Sequence, residues 1–131
     1  LALSLHAADD FKRNQIMPIN EQNNLSALAE ALQYFQKNTK DNKITFEYIA
    51  FRDFNDEMED AENLLRLCRK VSNVKVNIIE YNKVDGVELE KAEDAKIDAF
   101  ARYLNKHGVQ VTVRRSRVKD IDAACGQLAN K

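Results

Sequence analysis

The sequence contains very little cysteine and histidine. It has two residues of each type, namely Cys68, Cys125, His6 and His107. Two thiols so far apart do not make a disulfide framework, and the four residues do not have the spacing of zinc ligands. The composition therefore favours a reducing compartment, and we expect a cytoplasmic protein.

The sequence also lacks long apolar runs and an excess of charge of one sign. A membrane-spanning helix needs about 20 apolar residues in succession, so we expect no membrane association. The 20 basic and 21 acidic side chains give a formal charge of -1. The chain as a whole thus lacks the basic surplus that is typical of nucleic-acid binders, and any contact with RNA must be local.

Apolar residues recur with two different periods along the chain. A period of two predicts four strands, at residues 1–7, 44–48, 74–78 and 109–113. Helical spacing predicts three helices, around residues 25–35 behind Asn24 as a cap, 58–68, and 97–104 before Gly108. Residues 9–15 are interpreted as a loop or a short helix.

Strands that alternate with helices predict consecutive βαβ units and a parallel sheet, so the predicted fold class is α/β. One face of these strands carries polar side chains, which are those of Ser4, His6, Thr45, Glu47, Asn77, Thr112 and Arg114. A lumen that holds a polar cofactor requires such groups, and we favour this interpretation. An open face in contact with solvent is the alternative.

Cys125 is the strongest candidate for a reactive residue. If Asp122 caps a short helix, Cys125 lies in the first turn, where the helix dipole and exposed N–H groups stabilise a thiolate. Its neighbours Ala123, Ala124 and Gly126 leave room for a bulky substrate. The alternative is that these small residues and the cysteine pack a terminal helix. Cys68 continues an apolar helical stripe and is predicted to be a core residue.

Four cations lie within six positions just before this cysteine: Arg114, Arg115, Arg117 and Lys119. They could bind RNA phosphates. Otherwise they form a solvated run that lowers the pKa of the thiol.

The run Asp-Ile-Asp-Ala-Ala-Cys-Gly-Gln-Leu at 120–128 carries a specific resemblance. Together with Leu-Ser-Leu-His-Ala at 3–7, Met-Pro-Ile-Asn at 17–20 and Phe-Glu-Tyr at 46–48, it resembles the radical S-adenosylmethionine methyltransferases that modify carbon 2 of adenine. That family acts on large-subunit ribosomal RNA and on transfer RNA. The resemblance covers essentially the whole chain.

This resemblance implies a fold and a set of site residues. The fold would be the C-terminal half of a partial (β/α)6 barrel, similar to a TIM barrel. Cys125 would carry the methyl group as S-methylcysteine and form a crosslink with RNA. Ser4, the backbone of Leu5, His6 and Asn82 would contact S-adenosylmethionine. For His6 a purely structural role is the alternative. Glu47 could contact the cofactor, but a structural hydrogen bond is favoured. Asn55 and Asp56 match a loop of the family, and a turn followed by a helix cap is the alternative for them.

The family's motif for a [4Fe-4S] cluster, Cys-x3-Cys-x2-Cys, is not found in this sequence. We therefore expect residues 1–131 to be the C-terminal portion of the catalytic domain, inactive alone and able to self-associate through an exposed sheet edge. Two other functions remain open. One is methylation of carbon 8 of adenine by a related subgroup, and the other is a non-enzymatic α/β module whose Cys125 senses redox state.

Overall fold

The structure is a computed structural model that describes residues 1–17, 24–82 and 88–115. Its elements in chain order are β1 (Ala2–Ser4), α1 (Asp10–Ile16), α2 (Leu25–Lys37), β2 (Ile44–Ala50), α3 (Met58–Lys70), β3 (Val74–Glu80), α4 (Asp94–Lys106) and β4 (Gln110–Arg114). The α/β class predicted from the sequence is confirmed. Cys125, Arg117 and Lys119 lie outside the described residues.

The four strands form one parallel sheet in the order β1-β2-β3-β4. Crossovers between adjacent parallel strands are nearly always right-handed, and an unbroken strand order places successive helices on the same side. The apolar residues of α2, α3 and α4 accordingly pack in a single cluster with one face of the sheet. This winding is that of consecutive units of a β/α barrel.

The core face of the sheet is formed by alternate residues of the central strands. Phe46 and Tyr48 of β2 and Val76 and Ile78 of β3 are buried there. The helices cover these side chains with Leu32, Leu64, Leu65, Ile97, Phe100 and Leu104. The intervening strand residues therefore face the other side of the sheet, which these helices leave partly exposed.

Local signals set most of the helix ends. The Asn24 side chain accepts a hydrogen bond from the Ala27 N–H at 2.9 Å, which confirms the predicted cap of α2. Glu57 and Asp60 form a reciprocal capping box at the start of α3. After α4, Gly108 has φ +90°, a conformation that glycine adopts without strain, and the chain enters β4 directly.

The first strand is shorter than the sequence predicted. It was expected over residues 1–7, yet β1 ends at Ser4 and His6 has φ 60°. A left-handed residue breaks the alternation, so Ser4 and His6 do not belong to one continuous strand face. The segment that follows forms the extra helix α1, which Asp9 caps through the Lys12 N–H.

Among the described residues β1 pairs only with β2, which makes it an edge strand. Leu1 beside it is 58% exposed. Self-association through this edge stays a prediction, and we expect it to appear as a dimer in sedimentation. Separately, none of the helices within the described ranges is long and apolar enough to cross a membrane.

Candidate functional site

A row of four polar residues crosses the sheet on the face opposite the core. Ser4 pairs in register with Glu47, Glu47 with Asn77, and Asn77 with Thr112. Side chains of residues in register on neighbouring strands point to the same face. The polar face that the sequence predicted is thus present, and it is continuous across all four strands.

Asn77 in this row has an unpartnered oxygen. Its Oδ1 atom is buried and makes no hydrogen bond with any residue that the structure describes. A buried polar atom without a partner costs free energy of about 1–3 kcal/mol, so most such atoms in proteins have one. The row therefore has the chemistry to receive a ligand that carries N–H or O–H donors.

His6 follows β1 at the C-terminal end of the parallel strands. The Leu5 N–H still donates to the Glu47 carbonyl oxygen at 2.9 Å, and the chain then turns at His6. The Ile49 N–H donates to Nδ1 of His6 at 3.0 Å. The imidazole is therefore held beside β2 rather than projecting freely into solvent.

Asn55 ties this turn to the loop after β2. It is fully buried, its Nδ2 donates to the carbonyl oxygens of His6 at 2.7 Å and Ile49 at 2.8 Å, and its Oδ1 accepts from the Phe51 N–H at 2.7 Å. Its own carbonyl oxygen accepts from the Tyr48 hydroxyl at 2.7 Å. The turn considered for Asn55 is therefore observed, whereas α3 is capped by Glu57.

Arg13 of α1 also holds this segment, a role that was not predicted from the sequence. Its Nε donates to the Leu5 carbonyl oxygen at 3.1 Å and its Nη2 to the Ser4 carbonyl oxygen at 3.4 Å. The side chain is only 5% exposed. Nothing in the local sequence distinguishes Arg13 from Lys12, whose ammonium instead pairs with Asp60 at 2.6 Å.

The pKa of His6 is lowered from 6.5, chiefly because burial disfavours the charged ring and also because the Arg13 cation repels a second charge. Since Nδ1 accepts the Ile49 N–H, the neutral ring carries its proton on Nε2. His6 at neutral pH is thus an N–H donor at Nε2.

This lowered pKa predicts a pH dependence of stability. At a pH between 6.5 and the lower pKa that His6 has in the folded protein, the unfolded chain binds a proton that the native state does not. The His6 contribution to the free energy of unfolding is therefore complete above 6.5 and is lost as the pH falls through the folded pKa. We expect urea midpoints to decrease from about pH 7.5 to about pH 5.5. His6→Gln should flatten this slope, and equal slopes in both proteins would contradict the assignment.

Asn82 lies two residues beyond the end of β3 and is partly exposed. Because the strands are parallel, His6 and Asn82 both lie at the C-terminal end of the sheet. Ser4, Leu5, His6 and Asn82 therefore lie at one end of the sheet, and their contact with a cofactor stays a prediction. The Leu5 side chain is buried in the core, and its N–H and carbonyl oxygen already have hydrogen-bond partners in the protein, so its backbone could offer a ligand only the second acceptor position of that oxygen.

The two described cations of the basic run differ in environment. Arg114 is exposed at the end of β4, and the described part of the chain shows no ion pair for it. Arg115 donates from Nη2 to Asp98 at 2.7 Å, and its Nε lies 3.5 Å from Asp94 and 3.9 Å from the buried Glu80. The charge of Arg115 is thus already matched by carboxylates.

An acidic cluster lies in the loop before α3. Carboxylate oxygens of Asp53, Asp56 and Glu57 come within 4.8 Å of one another, which is the spacing of metal ligands. Asp56 is buried, which raises the pKa of its carboxyl group, and its Oδ2 has no hydrogen-bond partner within residues 1–17, 24–82 and 88–115. The Lys96 ammonium pairs with Glu57, so a positive charge is already present beside this cluster.

Cys68 is a core residue, as predicted. It is 7% exposed, and burial raises the pKa of its thiol to about 12. A thiol of this kind is rarely ionised at neutral pH, and an iron-sulfur ligand must be a thiolate. The described residues therefore do not fit an iron-sulfur cluster, because Cys68 is the cysteine that they contain.

Comparison with known proteins found no matching family model. The chain is 50% identical over 131 residues to the probable dual-specificity RNA methyltransferase RlmN of Cytophaga hutchinsonii, and all of this chain aligns with 35% of that protein. It is 42% identical over 130 residues to the dual-specificity RNA methyltransferase RlmN of Francisella tularensis subsp. mediasiatica, of which it covers 35%.

A solved structure is also similar. It is a radical SAM methyltransferase from Sphaerobacter thermophilus, with a TM-score of 0.87 and 35% identity over 97% of this chain and 37% of that one. The chain thus spans about a third of the length of the proteins that it matches. Over its whole length the chain is therefore similar to about a third of the RlmN proteins and of a radical SAM methyltransferase, and it shares the fold of the latter.

Proposed function

We propose that this chain is the C-terminal portion of the catalytic domain of an enzyme that methylates carbon 2 of adenine in large-subunit ribosomal RNA and transfer RNA. One observation carries the proposal, which is the 50% identity over all 131 residues to a protein named as a dual-specificity RNA methyltransferase. Because the substrates are ribosomal and transfer RNA, we place the protein in the cytoplasm.

In this proposal Ser4, the Leu5 backbone, His6 and Asn82 hold S-adenosylmethionine at the C-terminal end of the parallel strands. The polar row supports it, since the unpartnered Oδ1 of Asn77 needs a donor and this cofactor carries amino and hydroxyl groups. When bound, the cofactor supplies the methyl group and the radical that activates it. The [4Fe-4S] cluster would require cysteines other than Cys68 and Cys125.

Cys125 is the proposed methyl carrier. A thiolate is the nucleophilic form of cysteine, and the basic residues before Cys125 favour it. Small residues on both sides, Ala124 and Gly126, leave space for an adenine ring close to the sulfur. In this proposal the protein positions the sulfur, the cofactor and the adenine base close to one another.

For RNA contact we propose Arg114, Arg117 and Lys119 as phosphate ligands. Arg114 is exposed at the end of β4, at the same end of the sheet as His6 and Asn82. Arg115 was a fourth candidate, and its carboxylate partners favour a role in joining β4 to α4.

The proposal is tested with the full-length protein, its cluster reconstituted, and S-adenosylmethionine that carries a deuterated methyl group. We expect peptide mass spectrometry to find the methyl group on Cys125 and not on the buried Cys68. Digested ribosomal RNA should contain 2-methyladenosine. Labelled 8-methyladenosine would indicate the carbon-8 activity instead, and absence of methyl from both Cys125 and RNA would favour the redox-sensing module.

A further inference from the structure

The segment from Ser4 to His6 is held in place by side chains outside it. Arg13 binds the carbonyl oxygens of Ser4 and Leu5, and Asn55 binds that of His6. All three carbonyl groups at the turn therefore have side-chain donors. A non-glycine residue with φ 60° is conformationally unfavourable, so such contacts are what maintain it.

The orientation of the His6 ring depends on this turn. Its Nδ1 accepts from the Ile49 N–H at 3.0 Å, which requires the ring to lie against β2. The remaining ring nitrogen, Nε2, carries the proton in the neutral form. If the backbone of Ser4 and Leu5 moved, this hydrogen bond and the direction of the Nε2 N–H would be lost together.

We propose that Arg13 is a positioning residue for His6: its guanidinium fixes the left-handed turn so that Nε2 of His6 donates a hydrogen bond to S-adenosylmethionine. The inference rests on the proposed function, in which His6 contacts that molecule. Arg13 itself is buried behind the segment and acts through backbone carbonyl groups. Its two donor atoms form a fork that a lysine ammonium does not reproduce.

The test uses the full-length protein and calorimetric titration with S-adenosylmethionine. We expect His6→Ala and Arg13→Met each to raise the dissociation constant about tenfold, the usual effect of one hydrogen bond. The double variant should bind more tightly than the two single effects together would predict, because the part of the Arg13 effect that passes through His6 is already lost in His6→Ala. Nitrogen-15 NMR of the ring should show a proton on Nε2 in the wild type and a tautomer mixture in Arg13→Met.

The matched control is Gln36→Ala. The Gln36 side chain also donates to backbone carbonyl oxygens, those of Asn42 and Ser72. These lie just before β2 and β3, at the N-terminal end of the parallel strands. We expect this variant to keep the wild-type dissociation constant. If Arg13→Met proves unfolded in thermal melting, Arg13→Lys replaces it and should weaken binding in the same direction.

Two results would overturn the proposal: an unchanged dissociation constant in a folded Arg13 variant, or an Arg13 effect that adds in full to that of His6→Ala. In both cases the wild type still binds the cofactor, and the proposed function stands. A wild-type protein that binds no S-adenosylmethionine would instead refute the proposed function, together with this inference.

Discussion

Replacing Cys125 with alanine in the full-length protein is expected to abolish methylation of adenine. Without the sulfur there is no group to carry the methyl, and loss of a covalent catalytic residue lowers turnover by roughly a thousandfold or more. The measurement is the yield of 2-methyladenosine in ribosomal RNA after a fixed time with S-adenosylmethionine. Binding of S-adenosylmethionine should persist, because its proposed ligands are Ser4, Leu5, His6 and Asn82.

Cys68→Ala is the matched control for this experiment. The Cys68 thiol is buried in the core, and burial raises its pKa to about 12, so its thiolate is rare at neutral pH and poorly accessible to a substrate. We expect its removal to lower the free energy of unfolding by about 1 kcal/mol and to leave the yield unchanged. Product from Cys125→Ala at the wild-type level would exclude the carrier role.

Replacing Asn55 with alanine is expected to lower the free energy of unfolding by about 3–5 kcal/mol. The change removes the side-chain partner of one buried group, the Phe51 N–H, and of two partly buried groups, the carbonyl groups of His6 and Ile49. Each unsatisfied buried group costs about 1–3 kcal/mol. Urea denaturation followed by circular dichroism measures the effect.

Gln36→Ala is again the appropriate comparison, since it removes an amide that also makes several hydrogen bonds. Those bonds lie at a solvent-exposed edge, where water can replace the lost side chain. We therefore expect a loss below about 1 kcal/mol. Equal losses in the two variants would show that the burial of Asn55 does not matter.

Most of the fold could be predicted because its signals are local. Apolar periodicity identifies the buried face of β2, β3, α3 and α4. The Asn24 cap and Gly108 mark helix ends. Each of these signals depends only on residues that are close in the chain. The exception is β1. Leu1, Leu3 and Leu5 continue the alternation, yet contacts of His6 with Ile49 and Asn55 turn the chain after Ser4.

The site was predictable only in part. Ser4, His6 and Asn82 are proposed as site residues because the resemblance marks them, and the polar face was predicted because its residues alternate with apolar ones. Arg13 was missed, since its partners are backbone carbonyl groups and leave no trace in the residue types of β1. Asn55 was found as a turn residue, but its three side-chain hydrogen bonds could not be read from its neighbours.

The amino-acid sequence by itself determined the order of strands and helices and the division of the sheet into an apolar and a polar face, and its motifs carried the resemblance from which the role of Cys125 is proposed. Only the tertiary structure decided which ring nitrogen His6 presents and which cation holds its turn. The physical reason is distance along the chain. The Asn55 and His6 pair is 49 positions apart, and only packing of α1, β1 and the loop after β2 brings these groups together.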